Sequence, residues 1–99
     1  MDKSTEEILT RFLHASDKRE LDYFHRGKLV ASSSGDGRAQ VDVSKSSLMD
    51  RAFPSTRECS SPQELFAALR WGMSELCDAD DVDDTLETFV GYLNQPRQD

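Results

Sequence analysis

The sequence predicts an α+β fold consisting of an N-terminal helix, a small three-stranded antiparallel sheet and a C-terminal helical hairpin. Three observations lead there. Apolar residues recur at helical spacing at both ends of the chain, a central stretch alternates apolar and polar side chains around glycine turns, and Ser-Glu helix-start signals stand on either side of that stretch. With 99 residues and 36% hydrophobic side chains the chain reads as a single domain, 1–99. A chain of this size buries somewhat over ~60% of its unfolded surface, enough for one core without metal or disulfides but with little stability to spare.

Ser4-Thr5-Glu6-Glu7 has the form of a capping box and precedes Ile8, Leu9, Phe12 and Leu13, which share one helical face, so a helix is expected from about 4 to 16. Asp17-Lys18-Arg19 interrupts the pattern. Leu21, Tyr23, Phe24, Leu29 and Val30 then flank His25-Arg26-Gly27-Lys28, where Gly27 supplies a turn; a hairpin is expected, with a short helix over 17–26 as the alternative. After the turn-rich run from Ala31 to Gly37, Arg38 to Ser44 alternates as a half-buried strand does, completing a β-meander over 20–44. An irregular connection is expected over 45–60. It holds a short helical turn of Leu48, Met49, Ala52 and Phe53 stopped by Pro54, then the polar loop Ser55-Thr56-Arg57-Glu58.

Ser61-Pro62-Gln63-Glu64 combines a capping Ser, Pro at the first helical position and Glu at the third, which starts a helix over 61–77. Leu65, Phe66, Leu69, Met73, Leu76 and Cys77 fall within an arc of about 120° on it. Asp78-Ala79-Asp80 forms a corner. A last helix over 81–94 places Val82, Leu86, Phe89, Val90 and Leu93 on one stripe, Pro96 ends it, and 95–99 is a tail.

The net charge of −7 is unevenly placed: residues 1–57 sum to +1 and residues 58–99 to −8, with only Arg70 and Arg97 as bases in the second part. Nucleic-acid binding draws its free energy from cations neutralising phosphates, so direct nucleic-acid contact is not expected. Lys18, Arg19, Glu20, Asp22, Arg26 and Lys28 mix both signs and read as solvated surface. A protein partner with a basic surface fits the charge better. No apolar run approaches the ~18 residues of a membrane span, and no basic segment leads into an apolar signal core, so no membrane contact and a cytoplasmic location are expected.

Cys59 and Cys77 are too few and too far apart for a disulfide framework or a zinc site, and reduced thiols are expected. Asp78, Asp80, Asp81, Asp83, Asp84 and Glu87 put six acids into ten positions. An EF-hand loop starting at Asp78 would have Val82 at its fifth position, Asp83 at its sixth and Phe89 at its twelfth, so a calcium loop does not match, and no metal or other cofactor is implied. Carboxylates in the first turn of a helix are stabilised by its dipole, each by about 0.3–1 kcal/mol, and that explains much of the run.

Beyond that, Asp80, Asp84 and Glu87 project opposite the apolar stripe of the last helix, with Asp83 on the flank, as an acidic ridge with no base of its own. Trp71 lies at least about 120° from the apolar arc of its helix, beside Ala67 and Ala68, so that helix has two non-polar faces. It is either sandwiched or offers Trp71 as an anchor. The function expected is a small acidic protein-binding module, of the size and charge of inhibitors such as immunity proteins and antitoxins. It would dock a basic partner through Trp71, Asp80, Asp83, Asp84, Glu87 and Tyr92. The alternative is a self-associating module, a homodimer through the Trp71 helix. A less favoured third reading is a small enzyme using Cys59 with His14 or His25, since no nucleophile elbow, Cys-x-x-Cys or phosphate-binding glycine loop occurs.

Overall fold

The computed structural model describes residues 1–23, 26–45 and 55–95. The elements in chain order are α1 (Lys3–Leu13), β1 (Lys18–Tyr23), β2 (Gly27–Ser33), β3 (Ala39–Lys45), β4 (Ser55–Cys59), α2 (Pro62–Leu76), a 3-10 turn (Ala79–Asp81) and α3 (Val82–Leu93). The fold is α+β, with a helix, an antiparallel sheet and a C-terminal helix pair. The sheet, however, has four strands in the order β1-β2-β3-β4, not three.

The additional strand, Ser55–Cys59, falls inside the connection expected to be irregular. Its sequence gives no alternation because only Cys59 of its five residues is buried. Backbone pairing holds it instead, with Arg57 opposite Val41 and Cys59 opposite Ala39. Residues 18–23 form a strand, not the alternative helix. The expected turn at Leu48, Met49, Ala52 and Phe53, the residues Phe24 and His25, and the stop at Pro96 lie outside the described residues.

Helix α1 begins earlier than the capping box suggests. The Asp2 carboxylate, not Ser4, accepts the Thr5 N–H at 2.8 Å. Asp2 and Ser4 are both competent caps, and the charge of Asp2 also interacts favourably with the helix dipole, so the earlier site wins. The helix ends at Leu13, short of residue 16, and Ser16 takes a left-handed φ of 51° that turns the chain into β1. At α2 the expected signal holds. The Ser61 hydroxyl accepts the Glu64 N–H at 3.1 Å, and Glu64 reaches back to the Ser60 N–H at 3.3 Å and the Ser60 hydroxyl at 2.8 Å.

These bonds make the two helix starts acid-sensitive. Hydrogen bonds from Thr5 hold the Asp2 carboxyl below its ordinary value, and those from Ser60 do the same for Glu64. The folded-state pKa of each lies below the unfolded one, so their contribution is fully present above the usual carboxylate range and is lost as pH falls through the folded value. Thermal melts between pH 7 and pH 2 should therefore show an acid limb that is shallower in Asp2→Asn and Glu64→Gln than in the parent chain. Identical limbs in all three proteins would show that the caps carry no such linkage.

The core forms where α2 lies across β2, β3 and β4, with α1 and α3 packed against α2 and against each other. Leu29, Ala31, Val41 and Val43 from the sheet meet Leu65, Leu69, Met73 and Leu76 from α2, all buried. Each of these Leu, Val and Met side chains contributes about 1.5–3 kcal/mol for full burial, the Ala31 methyl less. Ala68 and Gly72, one helical turn apart and both buried, let α2 approach the sheet closely. A Cβ on Gly72 would stand 2.6 Å from Leu29 Cδ1 and 2.9 Å from Val43 Cγ2. The main apolar arc of α2 is thus covered by the sheet and the other helices, while its second non-polar face is only partly covered, with Trp71 half-buried and Ala67 exposed.

Candidate docking site between β1 and α3

Side chains alternate along β1. Arg19, Leu21 and Tyr23 turn toward the helices, while Lys18, Glu20 and Asp22 turn to the exposed outer side of the sheet. Arg19 is the structural surprise. The mixed charges around it suggest surface, yet it is 5% exposed, because it shares a strand face with Leu21 and Tyr23. Its Nε donates to Asp17 Oδ2 at 2.7 Å, and its two terminal nitrogens donate to the carbonyls of Tyr92 at 3.1 Å and Gln95 at 2.7 Å.

Helix α3 has no base in its own last turn, so a strand arginine satisfies its C-terminal carbonyls and faces the negative end of its dipole. The hydrogen bond that Arg19 donates to the Asp17 carboxylate outweighs burial and raises the Arg19 pKa. The guanidinium also lies 4.8 Å from the centroid of the Tyr92 ring.

A second tether joins the other end of α3 to β1: the Tyr23 hydroxyl lies 2.6 Å from Thr85 Oγ1. Burial pushes the Tyr23 phenol up in pKa. Between the two tethers the strand and the helix leave an open groove of about 460 Å³. Leu21 and Phe89 form its floor, Tyr92 and Thr88 one wall, and Glu20 and Asp84 stand at its rims. Tyr92 is 40% exposed, with its ring 6.0 Å from that of Phe89.

The acidic ridge is present but reduced. Asp83 turns toward α2 and pairs with Arg70 at 2.5 Å, and Asp78 pairs with Arg26 at 3.2 Å. Both pairs are exposed, worth about 0–1 kcal/mol each, but they take two carboxylates out of the unneutralised set. Asp80, Asp84 and Glu87 are exposed and have no cationic partner among the described residues. The structure thus brings Asp84 and Tyr92 to one groove, leaves Glu87 exposed on α3 and Asp80 exposed in the 3-10 turn before it, both outside the groove lining, and turns Asp83 toward Arg70. Sequence reasoning missed Arg19, Leu21 and Tyr23 as parts of this site. The signal was their shared two-residue period, with Lys18, Glu20 and Asp22 on the opposite phase.

Trp71 lies elsewhere. It is half-buried on α2, and Arg57 of β4 stacks over its ring at 4.3 Å. Since β4 and β1 are opposite edges of the sheet, Trp71 and the α3 carboxylates do not form one surface. Cys59 is buried on β4, and burial together with the charge of Glu64 pushes its thiol up to about 11, so it stays protonated at neutral pH. Cys77 donates its thiol hydrogen to the Met73 carbonyl at 3.1 Å, and both cysteines are free. His14 is exposed at the end of α1, and His25 lies outside the described residues. Among the described residues no three His, Cys, Asp or Glu side chains converge as metal ligands, and no helix is long and apolar enough to cross a membrane.

Compared with known proteins, the chain matches no family model, and neither a curated protein nor a solved structure is significantly similar to it. The fold and the groove therefore define it only as a small α+β chain with an acidic helix beside an apolar cleft.

Proposed function

We propose that the protein is a cytoplasmic binding module that docks the basic surface of another protein through α3 and the groove beside it. The observation that carries this reading is Asp84, a carboxylate with no cationic partner among the described residues, at the rim of a groove whose floor and wall are Leu21, Phe89 and Tyr92, with the equally unpaired Glu87 on the same helix and Asp80 in the turn before it. An apolar centre within a charged rim is the common anatomy of a protein interface, and Tyr is frequent among its anchors. The carboxylates speed encounter with a cationic surface and fix its orientation. On a nucleic-acid-binding target they would place negative charge where phosphate lies, which is how an acidic inhibitor of immunity or antitoxin type blocks a cleft.

The test is capture of partners from the source cell with the parent chain and with D80N/D84N/E87Q. The expected partners carry a basic surface, are released as salt rises and are retained poorly by the triple variant. Acidic partners, or equal retention by both chains, would overturn the reading.

A further inference from the structure

β1 is an edge strand, and among the described residues no strand lies along its outer side. Its pairing fixes where its backbone groups point. The Ser33 N–H donates to the Asp17 carbonyl at 2.8 Å, and bonded pairs alternate along an antiparallel ladder from there. In the register Arg19↔Ala31, Leu21↔Leu29 and Tyr23↔Gly27, those three β1 residues turn their N–H and C=O groups to β2. Lys18, Glu20 and Asp22 turn theirs to the open side. The Lys18 N–H is already taken by Asp17 Oδ1 at 2.7 Å. Glu20 and Asp22 remain, each offering a donor and an acceptor at the spacing of a strand ladder.

The groove opens beside this edge. We propose that its occupant is an extended, cationic segment of a partner protein that pairs with Glu20 and Asp22 of β1 as a fifth strand of the sheet. The proposal rests on the docking reading above and specifies the form the partner takes there. In strand addition the main chain supplies hydrogen bonds and alternate side chains supply specificity. Here one side of the added strand faces Leu21, Phe89 and Tyr92 and accepts apolar residues. The other side lies beside Glu20, which already pairs with Lys28 at 3.1 Å, and Asp22, which has no cationic partner among the described residues, so a Lys or Arg there meets Asp22 as an opposite charge on a neighbouring strand.

A second copy brings the same net charge of −7 and, in an antiparallel β1–β1 ladder centred on Glu20, sets Glu20 against Glu20, although Lys18 then stands opposite Asp22, so it is the competing occupant that the experiment must distinguish. The other open edge, β4, does not offer the same site. Its outward backbone groups belong to Thr56 and Glu58, and the cavity near its end is lined by Ser32, Ser33, Ser34, Arg38 and other polar groups.

The probe is a synthetic nine-residue peptide alternating Lys with Val and one Phe, with blocked ends. Two companions accompany it: the same peptide with Glu for Lys, and one N-methylated along the edge that would meet β1. Backbone amide exchange and chemical shifts of the whole protein are followed by NMR. Saturating cationic peptide is expected to slow exchange of the Glu20 and Asp22 N–H groups at least about tenfold while leaving the Leu21 N–H, already bonded to β2, little changed.

Glu20→Pro removes an outward N–H that the sheet does not use and is tolerated at an edge, so it should abolish peptide binding while preserving the fold. Glu20→Gln should lose only a few-fold. The acidic and N-methylated peptides should not bind.

Cationic binding that shifts Asp84 and Thr88 without slowing Glu20 and Asp22, and that survives N-methylation or Glu20→Pro, would overturn strand addition while leaving acidic docking intact. Absence of cationic peptide binding at millimolar concentration would overturn strand addition, with partner capture still deciding the docking reading on its own. Slowed exchange at Glu20 and Asp22 that grows with protein concentration without peptide would name a second copy as the occupant and also overturn it.

Discussion

Replacement of Arg19 by Met should destabilise the protein by about 3–5 kcal/mol, the range found when one partner of a buried ion pair is removed. The substitution keeps much of the side chain's volume, so loss of packing contributes little. What disappears is the set of charged hydrogen bonds: Asp17 loses the 2.7 Å contact, and the Tyr92 and Gln95 carbonyls lose the donors that close the end of α3. Small domains have only about 5–15 kcal/mol of stability in total, so the effect should be plain in a urea titration as a large fall in midpoint. It should also be local in origin, with amides of the last turn of α3 exchanging faster than those of α2. A loss under about 1 kcal/mol would mean that Arg19 is dispensable to the fold, contrary to the role its burial implies.

A comparable loss, about 3 kcal/mol or more, is expected for Gly27→Ala, from backbone strain and overpacking together. Gly27 sits at φ 145°, and a Cβ there would collide with the backbone carbonyl of Ser44 and stand 2.8 Å from Leu76 Cδ2. The Ser44 carbonyl belongs to the β2–β3 pairing, where Lys28 stands opposite Ser44, so relief requires moving the ladder and not merely a side chain. Gly91 provides the contrast within the same protein. It lies in α3 with nothing within 4 Å of a built Cβ, so Gly91→Ala should stabilise by up to about 1 kcal/mol through helix propensity. Equal effects at the two positions would show that residue type, not the local surroundings, sets the outcome.

Much of this architecture is legible in the residues. The starts and stripes of α2 and α3 follow from Ser61-Pro62-Gln63-Glu64 and from the spacing of Leu65 to Leu76 and Val82 to Leu93, because amphipathic helices carry their burial pattern locally. β4 was illegible for the opposite reason: an edge strand with one buried residue is specified by backbone pairing to β3, which leaves little trace in side-chain type. Arg19 was misread because charge composition is a property of neighbours in sequence, whereas burial in a strand is a property of alternate residues. The α3 carboxylates and Tyr92 could be singled out from the helical pattern, but their neighbours in space could not. Arg70 pairs with Asp83 across α2 and α3, and Arg57 covers Trp71 from a strand that the sequence concealed.

Whether the α3 carboxylates steer a basic partner can be read from the ionic-strength dependence of its association rate, measured by stopped flow with the captured partner. For the parent chain the rate constant should fall at least about tenfold between 0.05 and 0.5 M salt, as for electrostatically steered encounters. D80N/D84N/E87Q should associate slowly at low salt and respond only weakly to added salt. Two chains with the same rate and the same salt dependence would show that the carboxylates of α3 and of the turn before it only solvate the surface.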